Sequence, residues 1–325
     1  MHYVVTGGAG FIGSHLVEHL VTAVGGHRVT VLDNFSTGRR ENLEPWLARI
    51  RIVEGSVTDP DACREAIAGA DFVLHQAALP SVPRSLRDPL ASHEANATGT
   101  LNVLIAARDA HVQRVVYAAS SSAYGNTAEL PKREEMLPRP LSPYAAAKYA
   151  GEQYCRAFHA SFGVATVALR YFNVFGPRQD PSSQYAAVIP KFIMCAVAGE
   201  SPTIFGDGEQ TRDFTFVRNV VRANLLACEA PAAALGEAYN VGCGERVSVN
   251  ALWRRIRDLL GATVDARYEP ARTGDVRDSL ASLDRVRTML GYTPVVALDE
   301  GLRETVRSLT GREPAGAGSG AAARR

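Results

Sequence analysis

The feature that most constrains this chain is a glycine-rich turn between a strand pattern and a helix pattern. The β-branched, apolar run His2–Thr6 leads directly into Gly7–Gly13 (GGAGFIG), and Ser14–Val21 has helical character. Glycines at these positions let the backbone turn tightly and let a ligand approach without interference from a Cβ atom. The first turn of a helix also offers free N–H groups and the positive end of its dipole. This order of elements predicts a site for phosphate groups.

An acidic residue after the second strand pattern indicates which phosphate ligand fits. The predicted strand Val29–Leu32 is followed by Asp33, twenty positions after Gly13. A carboxylate there can accept hydrogen bonds from the ribose 2′-hydroxyl of a dinucleotide, and it repels a 2′-phosphate. We therefore predict that NAD is bound in preference to NADP, a preference that the nearby Arg39 and Arg40 temper.

Strand and helix patterns alternate through the first half of the chain. Alternation of this kind produces βαβ units, so we predict the α/β fold class, with a doubly wound parallel Rossmann sheet covered by helices on both faces. The predicted strands are His2–Thr6, Val29–Leu32, Ile50–Val53, Phe72–His75, Val115–Ala119 and Thr166–Arg170.

The alternation of strand and helix patterns ends after Arg170, where glycine and proline recur and the segments become irregular. We therefore predict a smaller C-terminal substrate lobe that is interleaved with the sheet domain. One more buried strand is predicted at Ala238–Val241, before a final helix at Val249–Leu260. The predicted units are a Rossmann domain at 1–172 with a return segment at about 213–243, a substrate lobe at 173–212 and 244–311, and a disordered tail at 312–325.

The composition is that of an ordinary globular protein of enzyme size, with 325 residues, 46% hydrophobic and 21% charged, and a net charge of +1. Lysine and arginine are dispersed, which argues against nucleic acid or a membrane surface and favours a small-molecule partner. Neither a transmembrane stretch nor a signal-peptide pattern is present, so a cytoplasmic location is expected. Five cysteines without a close pair and eight histidines without ligand spacing predict neither disulfides nor a metal site, and His75 is interpreted as a positioned core residue.

One tyrosine of the eleven has a lysine four residues on: Tyr144, followed by Lys148. Ser142 can cap a helix there, Pro143 suits its first turn and Gly163 can end it, so both side chains lie on one helical face. An ammonium near a phenol lowers the pKa of the phenol towards neutral and makes it a usable general base.

A run of three serines follows the predicted strand Val115–Ala119. It opens the segment 120–125 (SSSAYG) at the carboxyl end of that strand, where open α/β sheets present ligands. A hydroxyl at this position can share a substrate proton with Tyr144.

Together these residues resemble the extended short-chain dehydrogenases/reductases that modify nucleotide sugars, specifically the UDP-hexose 4-epimerases. The resemblance runs from Val4 to about Leu309 and includes the glycine turn, the acid, the Tyr–Lys pair and a hydroxyl four residues before a Tyr-Gly pair. That hydroxyl is Ser120, with Ser121 as its competitor for the catalytic role beside Tyr144 and Lys148. The resemblance implies that NAD is contacted by Gly7, Gly10, Phe11, Ile12, Gly13, Asp33, Asn34, Ser36, Thr37, Gly38, Ser56, Val57, Gln76, Ala77, Ala78, Asn96, Tyr144, Lys148 and Tyr171.

The resemblance also implies a UDP-sugar site, with two arginines that can clamp the diphosphate. The family often has Asp where this chain has Ser56, which puts one contact to the adenine in doubt. The implied substrate contacts are Ser81, Ser121, Ser122, Asn173, Val188, Arg212, Arg272, Asp275 and Ser279.

The implied reaction is reversible oxidation at C4 of the sugar with tightly bound NAD, through a 4-keto sugar. Members of this family have a gate residue that limits the room near the C2 substituent of the sugar, and in this chain it is the small Ser279. In this respect the chain resembles the branch that prefers UDP-GlcNAc and UDP-GalNAc, and a small gate residue also admits UDP-glucose. The resemblance further suggests a homodimer formed by paired helices.

Three alternative functions are open at this point. A UDP-glucuronate 4-epimerase would need a cation for the substrate carboxylate, from Arg84, Arg87 or Arg178. Another nucleotide-sugar dehydratase or decarboxylase on the same scaffold is also open, although a 4,6-dehydratase would need acids where Ser121 and Ser122 stand. A non-catalytic NAD-binding regulator would normally have lost Ser, Tyr or Lys from the catalytic set, and none is missing.

Overall fold

A computed structural model describes residues 1–181, 187–271 and 276–314. Its strands are β1 (His2–Thr6), β2 (Arg28–Asp33), β3 (Ile50–Glu54), β4 (Phe72–His75), β5 (Arg114–Ser120), β6 (Thr166–Tyr171), β7 (Val174–Phe175), β8 (Thr203–Phe205), β9 (Thr211–Arg212), β10 (Thr215–Phe216), β11 (Glu237–Val241), β12 (Val247–Ser248) and β13 (Arg267–Glu269). Its α-helices are α1 (Phe11–Thr22), α2 (Pro60–Ile67), α3 (Val82–Arg87), α4 (Pro89–His93), α5 (Gly99–Asp109), α6 (Pro143–Phe162), α7 (Val188–Ala198), α8 (Val217–Cys228), α9 (Val249–Leu260), α10 (Asp284–Leu290) and α11 (Leu298–Thr310).

Within the described residues, seven parallel strands form the central sheet in the order β3-β2-β1-β4-β5-β6-β11. The predicted α/β class and parallel sheet are confirmed, and every predicted strand is present with its ends displaced by at most one residue. The strand that returns at Glu237–Val241 pairs with β6, so the chain re-enters the sheet after the irregular segment.

Both faces of the sheet are buried, because alternate strand residues enter two separate cores. Val5 and Val31 belong to a core completed by α1 and α8, whereas Val4 and Leu32 belong to a core completed by α2, α5 and α6. Strands buried on both faces need continuous apolar runs, as the sequence has here.

A third core forms the smaller lobe, from α7, α9 and α11 with the short strands around them. The predicted helix Val249–Leu260 is present with the predicted bounds, but its prediction as the final helix was wrong, since α10 and α11 follow it. In α11 the buried apolar residues are Leu298, Leu302 and Val306, a single narrow stripe among charged residues. Their i, i+4, i+8 spacing is that of one face of an amphipathic helix, so the sequence does carry a local signal for α11.

The predicted tail at 312–325 falls outside the described residues beyond residue 314. Among the helices that the structure describes, none has the length and apolar character needed to cross a bilayer.

The helix α6 is fixed to the sheet by a buried ion pair. Ser142 caps its start by accepting a hydrogen bond from the Ala145 N–H, and Gly163 ends it in a left-handed conformation, as the sequence predicts. The carboxylate of Glu152 accepts hydrogen bonds from Arg170 Nε at 2.8 Å and Nη2 at 2.7 Å. Both side chains are nearly inaccessible to solvent, so the pair joins α6 to β6 inside the protein.

Arg170→Met should lower the free energy of unfolding by about 3–5 kcal/mol, because it leaves the Glu152 carboxylate buried without a partner. The double variant Glu152→Met/Arg170→Met should recover most of that loss, since two apolar side chains then fill the same space. Urea unfolding followed by circular dichroism measures both. The control is Arg51→Met, which removes an exposed ion pair with Glu65 and should cost under about 1 kcal/mol. Equal losses for the two single variants would contradict an anchoring role.

Candidate active site

A cavity of about 440 Å³ lies where the carboxyl ends of β1, β2, β4, β5 and β6 meet the glycine turn. Of the residues predicted to contact the cofactor, all but Asn96 line it. They are Gly7, Gly10, Phe11, Ile12, Gly13, Asp33, Asn34, Ser36, Thr37, Gly38, Ser56, Val57, Gln76, Ala77, Ala78, Tyr144, Lys148 and Tyr171. The remaining residues that line the cavity were not predicted as cofactor contacts, and most of them are small or apolar. They are Leu32, Gly55, Thr58, Leu79, Pro80, Ala91, Glu94, Ala95, Ala118 and Ala119.

The glycine turn is closed so tightly that side chains do not fit in it. A Cβ atom on Gly13 would lie 2.1 Å from the carbonyl oxygen of Gly7, and Gly7 itself has a φ of +68°. The helix α1 starts at Phe11, and its N-cap Gly10 has no side chain to occupy the first N–H groups. The turn therefore presents bare backbone and a positive helix end to the cavity, a geometry that fits a dinucleotide pyrophosphate.

Asp33 lies at the same cavity with its carboxylate held in place by the backbone. Its oxygens accept hydrogen bonds from the N–H groups of Ala9 and Phe35, each at 2.8 Å. Burial raises the pKa of Asp33, and these two hydrogen bonds oppose the rise. Each carboxylate oxygen has a further lone pair, so the group can also accept from a ribose hydroxyl.

The two arginines that temper the preference for NAD are each paired with a carboxylate. Arg39 forms an ion pair with Asp180 at 2.9 Å, and Arg40 forms one with Glu54 at 2.5 Å. The Arg40 guanidinium also lies over the Phe35 ring. Both guanidinium groups therefore already have partners, and none of these partners is part of a site for a 2′-phosphate.

Asn96 is not among the residues that line the cavity, and its role as a direct cofactor contact stays a prediction. It is fully buried, and its side-chain amide brackets Leu79: Oδ1 accepts from the Leu79 N–H at 3.0 Å and Nδ2 donates to the Leu79 carbonyl at 3.1 Å. Asn96 thereby fixes the loop after β4, whose residues Ala77 to Pro80 do line the cavity.

His75 is a buried core residue, as predicted. Its Nδ1 bonds to the Thr6 hydroxyl at 2.7 Å and its Nε2 to the Thr100 hydroxyl at 3.0 Å. Burial, together with the nearby positive charge of Lys148, lowers the pKa of His75 to about 3, so the ring is neutral.

The three predicted catalytic residues lie on two neighbouring elements, and two of them, Tyr144 and Lys148, line the cavity. Tyr144 and Lys148 project from the start of α6, and Ser120 ends β5 and caps the short turn Ser121–Tyr124. The Ser120 hydroxyl accepts a hydrogen bond from the Ser122 N–H at 3.2 Å and interacts with the phenol of Tyr144. The assignment of Ser120 and not Ser121 as the catalytic hydroxyl stays a prediction.

The prediction that Lys148 lowers the pKa of Tyr144 does not match the structure. Burial raises the pKa of Tyr144, and the interaction that opposes this rise is the hydrogen bond with Ser120. The Lys148 ammonium lies instead 4.4 Å from the centre of the Tyr117 ring. Because Lys148 is only 3% exposed, loss of hydration lowers its own pKa to about 7.

A second cavity, of about 710 Å³, opens in the smaller lobe. Asn173, Val188 and Arg212, all predicted to contact substrate, line it together with the cations Lys191 and Arg267. The guanidinium of Arg212 donates from Nη1 to the carbonyls of Thr211 at 3.0 Å and Arg277 at 2.9 Å, which fixes its orientation. This cavity combines positive charge with apolar walls, as a nucleotide diphosphate requires.

The other predicted substrate residues are spread over three segments. Ser121 and Ser122 are half-buried in the turn beside Ser120. Ser81 has a φ of +101°, a strained backbone for a serine, and caps α3. Ser279 is buried, and its N–H donates to the Thr211 carbonyl at 3.1 Å, one residue before Arg212. Arg272 and Asp275 lie outside the described residues.

The described cysteines are free thiols, and no group of three or more His, Cys, Asp or Glu among the described residues has the geometry of a metal site.

Comparison with known proteins extends over nearly the whole chain. The sequence model of the NAD dependent epimerase/dehydratase family matches residues 3–242. UDP-glucose 4-epimerase of Mycolicibacterium smegmatis is 39% identical over 310 residues, 94% of this chain and 97% of that protein. UDP-N-acetylglucosamine 4-epimerase from Methanobrevibacter ruminantium M1, solved in complex with UDP-N-acetylmuramic acid, is 41% identical with a TM-score of 0.89, over 94% of this chain and 97% of its own. UDP-glucuronic acid 4-epimerase from Bacillus cereus, solved with UDP-glucuronic acid and NAD, is 30% identical with a TM-score of 0.87, over 95% and 99%.

Gly13→Ala should abolish NAD binding, because the added methyl group meets the Gly7 carbonyl oxygen and forces the turn open. Isothermal titration of NAD into protein freed of cofactor measures the loss, which we expect to exceed a hundredfold in Kd. Gly25→Ala is the control: this glycine lies in an exposed turn with open space around it, and its replacement should leave Kd unchanged. Normal NAD affinity in a folded Gly13→Ala variant would show that the turn is not the pyrophosphate site.

Proposed function

This chain belongs to the NAD dependent epimerase/dehydratase family, with NAD as its cofactor, and we propose that within this family it is a UDP-hexose 4-epimerase. The proposed reaction interconverts UDP-GlcNAc and UDP-GalNAc, and also UDP-glucose and UDP-galactose, with NAD that stays tightly bound between turnovers. The observation that carries the proposal is that Tyr144 and Lys148 line the cavity formed by the glycine turn and Asp33, while the Ser120 hydroxyl interacts with the Tyr144 phenol.

In the proposed reaction the chain's own residues handle the proton of the sugar's 4-hydroxyl. Tyr144 enters the reaction as the phenolate and accepts that proton as general base, which turns it into the phenol. The Ser120 hydroxyl stabilises the phenolate through the hydrogen bond that already opposes the raised pKa of Tyr144. Lys148 supplies positive charge on the same face of α6. The residues of the glycine turn and Asp33 would hold NAD, whose nicotinamide would supply the acceptor and donor of the hydride at C4.

Inversion requires the 4-keto sugar to turn while its nucleotide stays in place. The cations Arg212, Lys191 and Arg267 in the second cavity can hold the diphosphate, and the hydrogen bonds of Arg212 to two backbone carbonyls keep its guanidinium fixed. The returning hydrogen then reaches the opposite face of C4, and Tyr144 gives the proton back.

Ser279 supports N-acetylated hexoses as substrates. Its small side chain is buried beside the segment that leads into Arg212, so it takes little room from a C2 substituent. The similar M. ruminantium enzyme is a UDP-N-acetylglucosamine 4-epimerase. A small residue admits UDP-glucose as well, since that sugar is smaller.

A UDP-glucuronate 4-epimerase is the second candidate, favoured by similarity to the B. cereus enzyme. Its substrate carboxylate needs a cation at the sugar, for which Arg84, Arg87 and Arg178 are the candidates. Arg178 is paired with Glu18 of α1, and none of the three is among the described residues that line the two cavities. This placement favours a neutral hexose.

We also propose a homodimer formed through α6 and the helices packed against it. Tyr154 and Phe162 on α6 are exposed, and so are Leu86 on α3 and Leu90 in α4, two helices in contact with α6. Large apolar side chains on adjoining helices suit a buried subunit interface.

Tyr144→Phe should lower kcat by at least a thousandfold on every UDP-hexose while NAD stays bound, because it removes the proton acceptor and keeps the ring. Conversion of the sugar by NMR and NAD content after acid release measure the two properties. Tyr149→Phe, one residue beyond Lys148 on the same helix, is the matched control and should be fully active. Substantial activity of Tyr144→Phe would contradict its assignment as base.

Proton NMR of the anomeric region tests the function itself, with UDP-GlcNAc, UDP-glucose and UDP-glucuronate in separate tubes and no added cofactor. We expect new signals of the C4 epimer from UDP-GlcNAc and UDP-glucose. Loss of water or carbon dioxide from one of the sugars, without inversion at C4 in any, would overturn the epimerase proposal.

Ser279→Tyr should lower kcat/KM for UDP-GlcNAc at least tenfold and leave that for UDP-glucose within about threefold, since the phenol fills space needed by the N-acetyl group. Ser279→Ala keeps the space and should be indistinguishable from wild type. Equal losses on both sugars would mean that residue 279 does not control the C2 substituent.

A further inference from the structure

Tyr117 makes two separate contacts with Lys148. The tyrosine is fully buried at the centre of β5. Its hydroxyl donates a hydrogen bond to the backbone carbonyl of Lys148 at 3.0 Å, and its ring centre lies 4.4 Å from the Lys148 Nζ. One side chain thus contacts both the backbone and the ammonium of a residue at the cofactor cavity.

Close packing at Gly151 makes these contacts possible. A Cβ atom at position 151 would lie 2.3 Å from the Tyr117 hydroxyl oxygen, so any other residue would push the tyrosine away from α6. Gly151 lies one helical turn after Lys148 and turns a bare stretch of helix towards the strand. The fit of Tyr117 under α6 is therefore specific to this pairing of residues.

The other titratable groups around Lys148 offer it no ion pair among the described residues. Glu152 on α6 is paired with Arg170 of β6, and burial raises the pKa of Tyr144 and of Cys155, which disfavours the anionic form of either group. On β4, His75 is neutral.

Three further titratable groups line the same cavity. The Asp33 carboxylate accepts hydrogen bonds from the Ala9 and Phe35 N–H groups. Burial raises the pKa of Tyr171 on β6 to about 12, so it is uncharged, and Glu94 lies before α5 as an exposed side chain. None of the three forms an ion pair with Lys148. The Tyr117 ring is thus the described group against which the ammonium packs.

A ring face can stabilise a buried ammonium, because the aromatic quadrupole places negative potential above the ring. Burial acts in the opposite direction and lowers the pKa of Lys148 to about 7. At that value a small change in the stabilisation of the ammonium changes the charged fraction at neutral pH substantially.

We propose that Tyr117 is the positioning residue for Lys148: its ring holds the ammonium at the cofactor cavity in the charged form, and its hydroxyl fixes the helix turn that carries it. Tyr117 itself does not line the cavity, so it acts through Lys148. The consequence for turnover rests on the proposed function, whereas the effect on Lys148 does not.

Lysine NMR measures the effect directly, because the chain has only three lysines, Lys132, Lys148 and Lys191. In protein labelled with [13Cε]lysine, Lys148→Arg assigns the Lys148 signal, and a pH titration gives its midpoint. We compare Tyr117→Phe, which keeps the ring and loses the hydroxyl, with Tyr117→Leu, which loses the ring. The Lys148 midpoint should stay within about 0.3 pH unit of wild type in the Phe variant and fall by about 0.5–1 unit in the Leu variant. An unchanged midpoint in Tyr117→Leu would overturn the proposal.

A fluorinated ring tests the same point without a change of shape, in case Tyr117→Leu does not fold. Trifluorophenylalanine at position 117, introduced by codon suppression, weakens the negative ring face and should lower the Lys148 midpoint relative to phenylalanine at the same position. Equal midpoints for the two rings would contradict the proposal, because packing alone would then account for the contact.

The pH profile of turnover separates this proposal from the function. The ammonium is lost as pH rises through its pKa, so a lower pKa in Tyr117→Leu should move the alkaline fall in kcat to lower pH with little change in KM, and Tyr117→Phe should restore the profile. A shifted lysine midpoint in a protein that turns over no UDP-hexose would refute the function and leave the positioning role standing. Normal turnover with an unshifted midpoint and an unshifted profile would refute the positioning role alone.

Discussion

The rest of the site depends on the contact between Gly13 and the Gly7 carbonyl. Because no Cβ atom fits there, α1 can begin directly after β1 and point its free N–H groups into the cavity. Asp33 accepts a hydrogen bond from the Ala9 N–H of the same turn, so the carboxylate proposed to bind the ribose is connected directly to the backbone proposed to bind the pyrophosphate. Asn96 fixes the opposite wall by holding Leu79.

The helix α6 carries Tyr144 and Lys148, the proposed catalytic residues that line this cavity. Two buried contacts hold it against the sheet: the ion pair of Glu152 with Arg170 of β6, and the hydrogen bond from Tyr117 of β5 to the Lys148 carbonyl. The burial that holds the helix in place also shifts the pKa values of its titratable groups. It raises the pKa of Tyr144 and lowers that of Lys148. The same packing therefore sets both the position and the proton affinity of the proposed catalytic groups.

Much of this could be predicted from the sequence, because the signals are local. The strands of the sheet are continuous apolar runs, and the ends of α6 are marked by Ser142 and Gly163. The contacts that could not be predicted join residues far apart in the chain. Tyr117 lies in a predicted strand, and nothing in the local sequence indicates that its ring meets Lys148. Side-chain contacts across elements depend on the packed structure, which periodicity does not encode.

The central claim is that C4 of the sugar is oxidised and reduced again within one closed site, while only the hydroxyl proton passes through Tyr144. Epimerisation of UDP-GlcNAc in D₂O, followed by proton NMR, tests this most directly. We expect the proton signal of C4 in the UDP-GalNAc formed to keep its full intensity, because this hydrogen leaves and returns without contact with solvent. Entry of deuterium at C4 in step with inversion would contradict it.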